Sequence, residues 1–108
     1  MTTTYKVLGQ VAPLAATLTT LYTTPAATST VFSTLVACNQ GAETSFRVAV
    51  RPAGATLSAE QYIVYDNLLA ANDSVFLTLG IALSATDVIS VYAGTATVSF
   101  NVYGSEIA

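Results

Sequence analysis

Ser45-Phe46-Arg47-Val48-Ala49-Val50-Arg51 alternates with a period of two, placing Phe46, Val48 and Val50 on one side and Ser45, Arg47 and Arg51 on the other. Successive side chains of a β-strand point to opposite faces, so the pattern describes a strand with one face in a core and one in water. The same period runs through Thr97-Val98-Ser99-Phe100-Asn101-Val102-Tyr103, with Val98, Phe100 and Val102 inward and Ser99 and Asn101 outward. Val75, Leu77 and Leu79 repeat it with Thr78 facing away, and Ile89 and Val91 do so with a largely apolar Tyr92 opposite. Val31 to Cys38 and Tyr62 to Tyr65 are apolar on both sides, which predicts central strands or strands that cover a subunit contact.

Around these stretches the chain is rich in Thr, Val, Ile, Tyr and Phe, whose branched or aromatic side chains suit a pleated, half-buried surface. Asn39-Gln40-Gly41, Pro52-Ala53-Gly54, Asn72-Asp73-Ser74 and Ala93-Gly94-Thr95-Ala96 interrupt the apolar runs with turn residues. Gly94-Thr95 fits a two-residue hairpin with glycine first. No segment shows a sustained helical period, and Pro13 with its neighbouring threonines makes Ala12 to Leu21 a loop followed by a strand. Pro25-Ala26-Ala27 reads as a loop, and the isolated glycines read as turns or bulges. The expectation is a single all-β domain over residues 1–108, an antiparallel sandwich or jelly roll of about eight short strands linked as a meander.

Of the 108 residues 53% are apolar and 8% charged, against about 25% charged in an ordinary soluble domain. So little charge cannot clothe a free surface, and much of the outside is expected to be shared with partners. A membrane span needs roughly 18–20 consecutive apolar residues, whereas polar residues break every run here. Residues Met1 to Gln10 lack the basic and apolar regions of a secretory signal, so synthesis in a cytoplasm is expected. With a net charge of −3 and only Lys6, Arg47 and Arg51 as cations, nucleic acid is not an expected partner.

The chain contains no histidine, which removes Ser-His-Asp and Cys-His catalysis and the commonest neutral-pH acid/base group. Glu43, Glu60, Asp66, Asp73, Asp87 and Glu106 lie mostly beside turn residues and read as solvated or capping groups rather than a catalytic pair. Asp66, Asp73 and Asp87 lack the spacing of a compact Ca²⁺ loop, so no metal and no cofactor is expected. The lone Cys38 excludes an internal disulfide, and its shared parity with Phe32 and Val36 predicts a small buried thiol. No enzyme activity is expected.

Three residues stand out as candidate subunit contacts. Arg47 and Arg51 share the outward face of one strand, where they either clamp carboxylates on a neighbour or pair locally with Glu43 or Glu60. Tyr103 is expected at the surface or a contact, while Tyr62 or Tyr65 is expected to face the core.

Several segments together carry a resemblance: Tyr5-Lys6-Val7-Leu8-Gly9-Gln10, Leu21-Tyr22-Thr23-Thr24-Pro25, Val36-Ala37-Cys38-Asn39-Gln40-Gly41, Phe46 to Gly54, Ala71-Asn72-Asp73 and Phe100 to Glu106. Over nearly its whole length the chain resembles small virion structural proteins of tailed bacteriophages. That resemblance implies a β-sandwich or jelly-roll subunit located in the virion. The role implied is a capsid cement (decoration) protein on the capsid surface, commonly a homotrimer that bridges neighbouring major capsid subunits. The other role it implies is a tail, neck or fibre structural component. A separate reading, from a different class, is a receptor- or glycan-binding module on the tail or fibre, with exposed Tyr and Asn as ligand contacts. The resemblance implies no catalytic residues.

Overall fold

The computed structural model describes all residues 1–108. Alternating segments become eight strands: β1 (Thr3–Val11), β2 (Thr19–Thr23), β3 (Ser29–Asn39), β4 (Thr44–Arg51), β5 (Tyr62–Leu69), β6 (Ser74–Leu83), β7 (Val88–Ala93) and β8 (Val98–Ile107). They form two antiparallel four-stranded sheets, β1-β8-β3-β6 and β2-β7-β4-β5. The first strand pairs with the last, the second with the seventh, the third with the sixth and the fourth with the fifth. The chain is thus one long antiparallel ribbon, doubled back between β4 and β5 and rolled so that β8 meets β3 and β7 meets β4. This winding is a jelly roll.

The winding corrects the meander, because β4 and β5 are the only chain neighbours that pair. Gly94-Thr95 therefore closes no hairpin. The segment crosses from one sheet to the other, held by Gly94 N–H donating to the Ser45 carbonyl and Gln40 N–H donating to the Thr97 carbonyl. Turn residues mark where a strand stops, but long-range pairing decides which strand comes next beside it.

Between the sheets lies one core cluster that includes Phe32, Leu35, Phe46, Val48, Ile89, Val91, Val98, Phe100 and Val102. Its members on β4, β7 and β8 match the inward sets read from alternation. Phe46 and Phe100 meet across the sandwich with ring centroids 6.1 Å apart. No helix is long and apolar enough to cross a membrane.

The phase of alternation changes along one band across the first sheet. β8 keeps an unbroken period, but β1 gains an extra residue at Leu8 and β3 at Ser33, while β6 loops out Leu79 and Gly80. Each extra residue turns the following side chains over. After Phe32 the buried positions on β3 become Leu35, Ala37 and Asn39, so Cys38 lies on the outer face, half-buried, rather than in the core. On β6, Leu79 is exposed, and Ile81 and Leu83 take its expected inward place.

On β5 the pairing jumps from Asn67 to Val64 around Asp66, whose φ is 49°. Leu69 then enters the core and Val64 packs against it, and neither Tyr62 nor Tyr65 joins them. The core tyrosine is Tyr22. β3 is central as expected, whereas β5 is an edge strand.

Gly104, level with the β3 bulge, lets two strands approach closely. A Cβ there would collide with the Val31 carbonyl oxygen and come within 2.8 Å of Phe32 Cα. Gly80 has φ +66° with open space around it, so its cost on substitution is conformational only. Gly104→Ala is accordingly expected to destabilise by about 3 kcal/mol, and Gly80→Ala by about 1–2 kcal/mol. Denaturant midpoints check the order, and equal midpoints would contradict the close-approach reading.

Candidate functional site

All three cations are engaged within the chain. Lys6 Nζ donates to Glu106 Oε1 at 3.1 Å, and the Tyr22 hydroxyl donates to Glu106 Oε2 at 2.5 Å. With the tyrosine proton committed to Glu106, the Thr30 hydroxyl, 2.8 Å away, donates to the Tyr22 oxygen. This cluster closes one end of the sandwich with a carboxylate that is largely shielded from water. Burial and the adjacent carboxylate push the Tyr22 hydroxyl up to about 12, and the Tyr22 and Lys6 hydrogen bonds hold Glu106 below the usual carboxylate range.

Arg47 stands opposite Tyr92 in the β4–β7 register. Its Nε and Nη2 donate to the two oxygens of Asp66 at 2.6 and 3.2 Å. The guanidinium carbon lies 4.3 Å from the Tyr65 ring centre and 4.4 Å from that of Tyr92, a planar cation held between two aromatic faces. The ion pair keeps the Asp66 carboxyl below its ordinary range. The Tyr62 and Tyr65 rings meet edge to face, 4.9 Å apart. Beside them lies an open groove of about 600 Å³ lined by Leu57, Ser58, Ala59 and the two tyrosines.

Arg51 turns back on its own chain. Its Nε donates to the Ala55 carbonyl at 2.7 Å, Nη2 to the Gly54 carbonyl at 3.0 Å and Nη1 to Ser90 Oγ at 3.3 Å. It thereby pins the turn Pro52–Gly54 against the sheet. Both arginines pair locally, but with Asp66 and backbone carbonyls rather than with Glu43 or Glu60. Tyr103 is 36% exposed on the outer face of the first sheet, in a shallow groove with Tyr5, Val7, Val31 and Ser33.

The carboxylates do not gather into a group that could hold a metal ion. Asp66 is taken by Arg47, Asp87 accepts from the Ser84 and Ala53 amides, and Glu60 accepts from Ser58. What remains outside is largely apolar: Tyr5, Tyr65, Leu68 and Phe76 are each at least 60% exposed. Sequence reasoning missed Leu68 and Phe76 as surface residues. For Phe76 the signal available was its place between inward Val75 and Leu77 in a strand without charge; nothing in the sequence marked Leu68.

The chain matches no protein-family model and no curated protein sequence. Among solved structures it is similar to a chain in the structure of infectious bursal disease virus Gx strain, with a TM-score of 0.54 and 11% identity. The likeness covers 97% of this chain and 31% of that one, so this chain spans about a third of its neighbour's length. At that identity the shared property is the fold, and nothing in it is specific to tailed bacteriophages.

The Tyr22–Glu106 cluster makes stability depend on pH at both ends. Glu106 has a folded pKa below its unfolded value of 4.5, so its contribution is present above pH 4.5 and is lost as the pH falls through the folded pKa. Tyr22 has a folded pKa raised from 10.0 to about 12, so its contribution is complete below pH 10 and is lost as the pH rises toward 12. Unfolding midpoints are expected to drop on both limbs. Glu106→Gln should flatten the acid limb, and Tyr22→Phe the alkaline limb.

Proposed function

We propose that the chain is a structural subunit of a virus particle, and specifically a capsid cement protein of a tailed bacteriophage that bridges and stabilises neighbouring capsid subunits without catalysing a reaction. One observation carries this reading: every cation is satisfied inside the subunit while large apolar side chains stay in water. Partners are then recognised chiefly by apolar area and shape, since the surface offers no unengaged Lys or Arg and only four carboxylates without a cation partner. The jelly-roll winding, shared with a chain of a virus structure, supports the same reading.

A symmetric oligomer that laid such faces across capsomer boundaries, with roughly 800 Å² or more buried per partner, would add substantial stability to a shell under internal pressure. Mass spectrometry of purified particles is expected to find the chain at a copy number comparable to that of the shell protein. Adding it to shells that lack it should raise their disruption temperature. A few copies per particle, with no shift in that temperature, would overturn the cement role.

The groove beside Tyr62 and Tyr65 favours one second reading, a tail, neck or fibre component whose exposed rings stack on a glycan. That reading expects a glycan-array signal that Tyr65→Ala abolishes. The cement reading expects none.

A further inference from the structure

Each sheet ends in two edge strands, and a protein with free edges normally guards them with charge, proline, shortness or a bulge. In the second sheet β2 is only five residues long, and β5 carries Asp66 with its arginine partner. In the first sheet β1 carries Lys6. β6 contains no charge and no proline along ten residues, and its one bulge, at Leu79-Gly80, leaves Ser74–Thr78 straight and open. At the middle of that segment Phe76 is 69% exposed, on the outer face of the first sheet beside outward-facing Val36.

We infer that Ser74–Thr78 is a seam at which two copies of the chain pair, β6 against β6 about a two-fold axis at Phe76, a contact that rests on the assembly reading above. Antiparallel addition would set Ser74 opposite the partner copy's Thr78 and bring the two Phe76 rings together as a cross-strand aromatic pair. The two four-stranded sheets would become one continuous sheet through the seam. A second copy is the occupant favoured by the surface itself. The edge offers nothing to a charged partner, and strand addition needs an equally bare edge, which every copy presents. The same pairing at β1 would bring two Lys6 side chains toward each other.

Light scattering with hydrogen exchange on the full chain tests the seam. The expected result is a dimer, with amides of residues 74–78 becoming slower to exchange as concentration rises, and association of Phe76→Asp weaker by at least about tenfold. A trimer, or a dimer whose 74–78 amides gain no protection, would overturn the seam while leaving assembly intact. A chain that stays monomeric at millimolar concentration would overturn both. If Phe76→Asp does not fold, the exchange pattern of the unaltered chain decides alone.

Discussion

The close approach of β3 to β8 at Gly104 governs the shape of the first sheet. Only a residue without a Cβ allows the Val31 carbonyl and the Phe32 backbone to sit where they do. At this level β1 and β3 each carry one extra residue, and β6 loops out two. β8 alone passes through without a break, so its partners must change phase to stay in register with it. Which side chains reach the core beyond the band, and which reach solvent, follows from that adjustment.

Its consequences spread to the surface. Because the β3 phase turns over after Phe32, Val36 and Cys38 face outward, and Asn39 faces in. Buried Asn39 then donates to the Ala42, Leu69 and Ala70 carbonyls and accepts from Gly41 N–H and Thr97, tying together three loops at one end of the roll. At the other end the Glu106 carboxylate joins Lys6, Tyr22 and Thr30. Buried Asn39 and Thr30 thus serve to close the two ends of the sandwich, while the outer face of the first sheet around Phe76 carries mainly hydroxyls and hydrocarbon.

That division explains how so charge-poor a chain closes its own ends and still leaves hydrocarbon exposed on its flanks. Three cations find partners within the subunit, two of them with carboxylates and the third with carbonyls and a hydroxyl. An ion pair on an exposed surface contributes little to stability. Arg47 gains more from its position between two tyrosine rings, where the cation is partly screened from water and both faces are in contact. The flanks have no such internal arrangement. Phe76 and Leu68 remain uncovered, and the proposed assembly rests on this exposed apolar area.

Local alternation by itself determined that the chain is all-β and that the walls of the core are Phe46, Val48, Ile89, Val91, Val98, Phe100 and Val102, and composition by itself that no histidine is available for chemistry. These properties depend on residue type and on a period of two, which neighbouring residues share wherever the strand ends up. Tertiary structure alone decided that Gly94-Thr95 crosses between sheets, that Leu79 and Cys38 face outward, that Tyr22 rather than Tyr62 or Tyr65 enters the core, and that Asp66 takes Arg47. Each of these depends on register between segments far apart in the chain, as with Thr3 beside Ile107. One inserted residue inverts a whole strand, and nothing in a strand's own composition marks where its partner will force the insertion.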